Sequence, residues 1–142
     1  MIRKFKENEI DKIANLWLET NITAHNFIDE NYWKEQFDTV KSMLPQAELF
    51  VYEEDEELQG FVGVIDNYIA GIFVSKNIQS KGIGKSLLDH VKTLRNELSL
   101  NVYKKNERAV TFYEREGFEI KEHKIDENTN EVEYLMLWKR NL

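Results

Sequence analysis

Three apolar runs, "ELFVYE", "QGFVGVID" and "YIAGIFVS", follow one another between residues 48 and 75, separated only by "EDEEL" and Asn67. Links this short permit hairpins but no crossover, so the runs are expected to pair as an antiparallel meander. The stretch "QSKGIGKS", Gln79 to Ser86, comes next, and after it the apolar residues fall at Ile83, Leu87, Leu88, Val91, Leu94 and Leu98. That spacing marks a well-formed amphipathic helix. A meander that enters a helix through two glycines restricts the chain to a mixed α/β sheet.

The flanking segments fill out the order. Ile2 to Phe5 reads as a short first strand, and Ile10, Ile13, Ala14 and Trp17 give a helix from Glu7 to about Thr20. A second helix is expected from near Asp29 to Ser42, with Tyr32, Trp33, Phe37 and Val40 inward and "NITAHNF" as the connection. "LSLNVY" alternates as a half-buried strand should. Asn106 can cap a helix carrying Ala109, Val110, Phe112 and Tyr113, and Gly117 can stop it. "FEIKEHKI" and "EVEYLMLWK" close the chain as two strands around the polar turn "DENTN". The predicted order is β-α-α-β-β-β-α-β-α-β-β.

At 142 residues, with no Pro/Gly/Ser linker and no internal repeat, residues 1–142 are expected to form one domain. There is no cysteine, which removes disulfides, thiolate zinc sites and a thiol nucleophile and suits a reducing cytoplasm. No apolar stretch approaches a membrane span, and "MIRKFKENEI" lacks a signal-peptide core. A formal charge of −7 disfavours nucleic acid as a partner and mildly favours a cationic one. Glu53 to Glu57 read as a solvated turn, so no metal site is expected; His90 and His123 look like surface positions.

"QSKGIGKS" looks like a phosphate cradle, and two readings compete. A nucleotide-cleaving Walker loop ends in Gly-Lys-Ser, as Gly84-Lys85-Ser86 does, but it needs Gly where Gln79 stands. Such loops also follow parallel βαβ units, not a meander. The other reading is a cofactor pyrophosphate held at a helix N-terminus. Gly82 and Gly84 would let the backbone approach the anion, with Lys81 and Lys85 at the rim.

Gln, two residues, Gly, one residue, Gly is the pattern of Gln79-Ser80-Lys81-Gly82-Ile83-Gly84. About 20 residues further on, "NERAVTFYEREGFE" has Asn, two residues, Ala, two residues, Phe-Tyr, three residues, Gly-Phe. Both patterns, in this order and on these elements, resemble the GNAT N-acetyltransferases. The resemblance covers the chain from roughly Leu49 to its end. A narrower likeness, to small bacterial members that acetylate lysine side chains or similar amines, rests on "LWLETNITAHNFIDENYW" and "NVYKKNERAVTFYEREGF".

The resemblance implies a GNAT fold, with a mostly antiparallel sheet of about seven strands and about four helices. It implies transfer of acetyl from acetyl-CoA directly to a primary amine, either a protein lysine or a small amine. Ile72, Phe73 and Val74 would pair with the pantetheine arm, and an N–H near Phe73 would be the oxyanion donor. The loop Gln79, Ser80, Lys81, Gly82, Ile83, Gly84 and Lys85 would hold the pyrophosphate. Tyr113 would serve the leaving thiolate, and Asn106 either bonds pantetheine or caps its helix; Asn101 is a weaker cofactor candidate. The strand Tyr68 to Val74 lacks the Glu that many relatives use as base. His25 is the first side-chain candidate for that role, against a capping or packing role. Phe27, Tyr32, Trp33 and Tyr68 are candidates for an amine pocket through cation–π contact, or for core. The alternatives are an acyl-CoA-binding sensor with little catalysis, or an enzyme with another acyl donor or an amino-acid or antibiotic acceptor. A monomer or a homodimer is expected, and "EVEYLMLWK" is apolar enough for a terminal-strand contact.

Overall fold

The computed structural model describes residues 1–76 and 81–141. Its elements are β1 (Ile2–Lys4), α1 (Ile10–Ala24), α2 (Glu30–Met43), β2 (Glu48–Glu54), β3 (Glu57–Ile65), β4 (Tyr68–Val74), α3 (Ile83–Leu94), β5 (Glu97–Tyr103), α4 (Glu107–Arg115), β6 (Glu119–Asp126) and β7 (Glu131–Lys139). The strands form one seven-stranded sheet in the order β1-β2-β3-β4-β5-β7-β6. The α/β order and the mostly antiparallel sheet are as the sequence predicts. The β2–β3 turn places Asp55 and Glu56 at φ of 54° and 64°, which is the twist a tight hairpin needs.

Each sheet face carries its own core. On one, Val62, Leu98, Leu100 and Met136 pack against Leu87, Leu88 and Val91 of α3. On the other, Leu49, Val51 and Phe61 pack against Ile13 and Leu16 of α1. Burying each such side chain contributes on the order of 2 kcal/mol. Among the described residues no helix is long and apolar enough to cross a membrane.

Two expectations are corrected here. First, α1 runs on to Ala24 rather than ending near Thr20, so the connection shrinks to His25–Asp29. Thr20 and Asn21, poor helix formers in the sequence, are satisfied from within: Thr20 Oγ1 donates to Leu16 O at 2.7 Å and Asn21 Nδ2 to Trp17 O at 2.9 Å. Second, "EVEYLMLWK" is not an edge. As β7 it lies between β5 and β6 with both sides paired, which is why it is so apolar. The edge at this end of the sheet is β6, "EIKEHKID", whose charges discourage strand addition.

The feature that positions the site is a parting of strands. Gly63 pairs with Gly71 and Val64 with Ile69, so β4 carries one extra residue, Ala70, as a bulge. Beside it, β4 and β5 pair in parallel only at Tyr68 and Ser99, with Ser99 N–H donating to Asn67 O at 2.9 Å. Beyond Tyr68 the bulged strand leaves β5, which pairs along its full length with β7.

Candidate active site

The gap between β4 and β5 opens into a cleft of about 1010 Å³. Ile72 and Val74 of β4, Gly82 to Lys85 at the start of α3, and Asn106 and Tyr113 of the α4 segment line it, with Thr23 and Ala24 at the end of α1. Ladder parity fixes what β4 offers. Ser75 N–H donates to Gln59 O on β3, so Phe73 N–H also points to β3, while those of Ile72 and Val74 point to the gap. The ladder thus turns the N–H of Phe73 itself away from the gap. The Phe73 ring stacks on Phe61 at 4.9 Å, on the α1 face.

The described part of the glycine turn is the entry to α3. Gly82 sits at φ +80°, a left-handed conformation that glycine adopts without strain. The N–H groups of Ile83, Gly84 and Lys85 belong to the first turn and have no acceptor within the helix. A Cβ on Gly84 would face Phe112, Val74 and Ile72 at 3.8–3.9 Å, three residues that line the cleft. Its absence keeps that space clear. Lys85 is tethered to Glu116 at 3.0 Å and Asp89 at 3.2 Å, and those carboxylates hold its ammonium above the usual lysine range. Lys81 is exposed and outside the cleft lining, and Gln79 and Ser80 lie outside the described residues.

Tyr113 forms the inner wall. It is 8 % exposed and packs on Phe112 at 5.2 Å and Phe118 at 5.5 Å. Burial first, and then the Tyr68 phenol, hold its hydroxyl above the usual tyrosine range, so it keeps its proton. Tyr68 Oη accepts from Asn101 Nδ2 at 3.0 Å, which places Asn101 behind Tyr68 rather than in the cleft. Asn106 Oδ1 accepts from Ala109 N–H at 3.3 Å, the predicted cap, and Asn106 also lines the cleft.

His25 caps the C-terminal end of α1, immediately beyond Ala24. Its ring stacks on Trp33 at 5.2 Å and meets Phe27 and Tyr103 edge-on at 5.7 and 5.1 Å; Tyr32 meets Trp33 at 4.9 Å. Two predicted pocket residues, Phe27 and Trp33, thus pack on His25, Tyr32 lies behind Trp33, and Tyr68 lies beside Tyr113. Burial lowers the His25 pKa from 6.5 to about 4, opposed by the Asn21 carbonyl, which is near Nδ1 but not hydrogen-bonded to it. His123 is exposed as expected, whereas His90 is half-buried against Phe50 at 4.6 Å.

The His25 shift has a consequence for stability. Above pH 6.5 the ring is neutral in both folded and unfolded chains. As pH falls below 6.5 the unfolded chain takes up a proton that the folded chain refuses until about pH 4. Stability is lost across that window, by at most about 3 kcal/mol. Thermal melts between pH 7 and 4 should fall more steeply for the native chain than for His25→Phe; parallel curves would contradict the burial.

A family model described as "Acetyltransferase (GNAT) domain" matches residues 5–132. The chain belongs to the GNAT acetyltransferases. Its activity is the transfer of an acetyl group to an amine. It is 36% identical over 140 residues to the peptidyl-lysine N-acetyltransferase YiaC of Escherichia coli K12, covering 97% of this chain and 96% of that one. It is 30% identical over 120 residues to the peptidyl-lysine N-acetyltransferase YjaB of the same strain, covering 84% and 82%. The solution structure of apo YjaB from Escherichia coli superposes with a TM-score of 0.86 at 26% identity, over 99% of this chain and 98% of that one.

Within this GNAT cleft, sequence reasoning missed one face of α4, namely Arg108, Thr111, Phe112 and Arg115, and the end of α1. Helical spacing from Asn106 carries the first signal, since Ala109, Phe112 and Tyr113 share its side. No signal marks Thr23 and Ala24, which reach the cleft only because α1 extends by a turn.

Proposed function

We propose that the chain acetylates the side-chain amine of lysine in proteins or peptides with acetyl-CoA as donor, in the cytoplasm, as a single-domain monomer or homodimer. The observation that carries this reading is the parted β4–β5 edge, which opens a cleft of about 1010 Å³ onto the buried Tyr113. That volume is at the upper end for ligand pockets, as a cofactor with a long arm and a pyrophosphate requires. The relatives named for peptidyl-lysine, aligned over most of the chain, support the acceptor.

The residues present fit the cofactor. The backbone N–H groups of Ile72 and Val74 would face the arm and its thioester, and those of Ile83, Gly84 and Lys85 would hold the pyrophosphate, aided by the α3 dipole. Gln79, Ser80 and Lys81 complete the proposed loop. When bound, acetyl-CoA supplies an acetyl thioester as electrophile and a thiolate as leaving group. Tyr113 Oη holds a proton for the departing sulfur, and its raised pKa means that it shares this proton by hydrogen bonding before giving it up. The Ile72 N–H, the earlier of the two gap-facing donors on β4, would donate to the carbonyl oxygen of the acetyl group.

No carboxylate stands on β4, and burial makes His25 too weak a base for an ammonium of pKa about 10.4. The amine therefore loses its proton to water. This reading makes a pH prediction: kcat/KM for a lysine peptide should rise about tenfold per pH unit from 7 to 9, with no inflection near 6.5. Initial rates of thiol release over that range, with a lysine peptide, spermidine and an α-amino peptide in parallel, test both points. A plateau above pH 7 would assign a tuned base, and preference for spermidine or the α-amine would overturn the acceptor.

A further inference from the structure

The Asn106 side chain is held from two sides. Its oxygen accepts the Ala109 N–H at 3.3 Å, which caps α4, and its nitrogen lies 3.3 Å from His25 Nε2. With the amide oxygen used by the cap, the NH₂ group must be the donor and Nε2 the acceptor. That assignment needs a neutral ring with its proton on Nδ1. Burial among Trp33, Phe27 and Tyr103 supplies that state by suppressing the imidazolium. The Nδ1 proton required by this tautomer is buried on the side of the Asn21 carbonyl, away from Asn106.

The contact spans two walls of the cleft. His25 follows Thr23 and Ala24, which line the α1 side, and Asn106 begins the α4 side, seven positions before Tyr113. Ring contacts of His25 and Phe27 with Tyr103, and Lys105 Nζ over Phe27, also bring the end of α1 to the segment before α4. Within that segment Asn106 N–H donates to Tyr103 O at 3.0 Å and Val110 N–H to Asn106 O at 3.1 Å. These two bonds shape the turn but do not fix it relative to α1. The His25–Asn106 bond ties the cap itself to the end of α1.

We infer that His25 is a positioning residue: through Nε2 it holds the Asn106 amide, and with it the start of α4 and the register of Tyr113, against the end of α1. This rests on the cleft being the acetyl-transfer site proposed above. It assigns His25 no proton transfer. A base at this position would have to exchange a proton through Nε2, the atom that Asn106 occupies. An acceptor atom at that place is all the role requires.

Two substitutions separate the roles. His25→Gln puts an amide oxygen near the Nε2 position, able to accept from Asn106 but unable to act as a base. His25→Phe keeps the aromatic packing and removes the acceptor. Positioning predicts that His25→Gln retains activity within about threefold, while His25→Phe loses kcat by up to about 10²-fold, the scale of a small misplacement, with KM for acetyl-CoA little changed. Hydrogen exchange at the Ala109 and Val110 amides supplies a readout without turnover: faster in His25→Phe, near native in His25→Gln. His25→Gln as inactive as His25→Phe, with native exchange in both, would overturn the inference in favour of a base. Unchanged exchange and activity in His25→Phe would overturn it outright. If exchange responds as stated while the native chain acetylates no lysine peptide, the strut stands and the acceptor reading fails.

Discussion

Tyr113→Phe should lower kcat by about 10³-fold and leave acetyl-CoA affinity within about twofold. In the proposed reaction the hydroxyl is the one part of this residue that would be used; the ring is core, packed on Phe112 and Phe118 and 8 % exposed. Phenylalanine preserves that packing, so the fold and the cleft survive. What is lost is the proton at the leaving sulfur, and general-acid contributions of about 10²–10⁴-fold set the scale. Burial holds the phenol proton well above neutral pH, so the effect should be constant from pH 6 to 9. Steady-state kinetics beside calorimetric titration with acetyl-CoA give the two numbers. A loss of affinity matching the loss of rate would make Tyr113 a binding residue instead.

Gly84→Leu should make the protein more stable and nearly unable to bind CoA. A Cβ at Gly84 meets Phe112, Val74 and Ile72 only at ordinary contact distance, 3.8–3.9 Å, so the side chain can be added without displacing the walls. Leucine is also the better helix former by about 0.8 kcal/mol, which raises Tm by up to about 3 °C in a chain of this size. The rest of the side chain, however, grows into space that those three residues line. Affinity for CoA should fall by about 10³-fold, equivalent to ~4 kcal/mol. Gly82→Ala behaves in the opposite way. Its Cβ meets nothing within 4 Å, but φ of +80° costs a side chain about 1–2 kcal/mol, so Tm falls without the cleft being filled. Differential scanning fluorimetry with and without CoA reads all four effects. Native CoA affinity in Gly84→Leu would mean that the cofactor does not pass over α3.

Much of this was legible because it is encoded locally. Strand links too short for a crossover dictate the β2–β3–β4 meander, and apolar period dictates α3. The cap at Asn106 and the stop at Gly117, φ +96°, are single-residue signals with direct physical causes. The cleft residues on the glycine turn and Tyr113 were named from the pattern of two motifs. The misses are tertiary in origin. Thr20 and Asn21 read as the end of α1 by propensity, yet back-bonding to Leu16 and Trp17 and burial carry the helix to Ala24. The apolarity of "EVEYLMLWK" allowed a terminal-strand contact, but its place between β5 and β6 was not legible from that segment. The phase of β4, which turns Phe73 away and presents Ile72 and Val74, depends on pairing with β3 that no single segment shows. His25 stood out because an isolated histidine has a pKa suited to base catalysis. Its aromatic surroundings, which remove that fitness, come from three separate segments: the α1–α2 connection, α2 and β5.

The most direct test is a backbone-amide NMR titration of the native chain with CoA. Shift changes should concentrate at Ile72, Val74, Ile83, Gly84, Lys85 and Asn106, and the amides of β1 and α2 should stay still. Changes confined to the smaller cavity beside Glu19 and Lys76, of about 300 Å³, or saturating binding that leaves Ile72 and Val74 unmoved, would contradict the placement of the cofactor in the parted edge of the sheet.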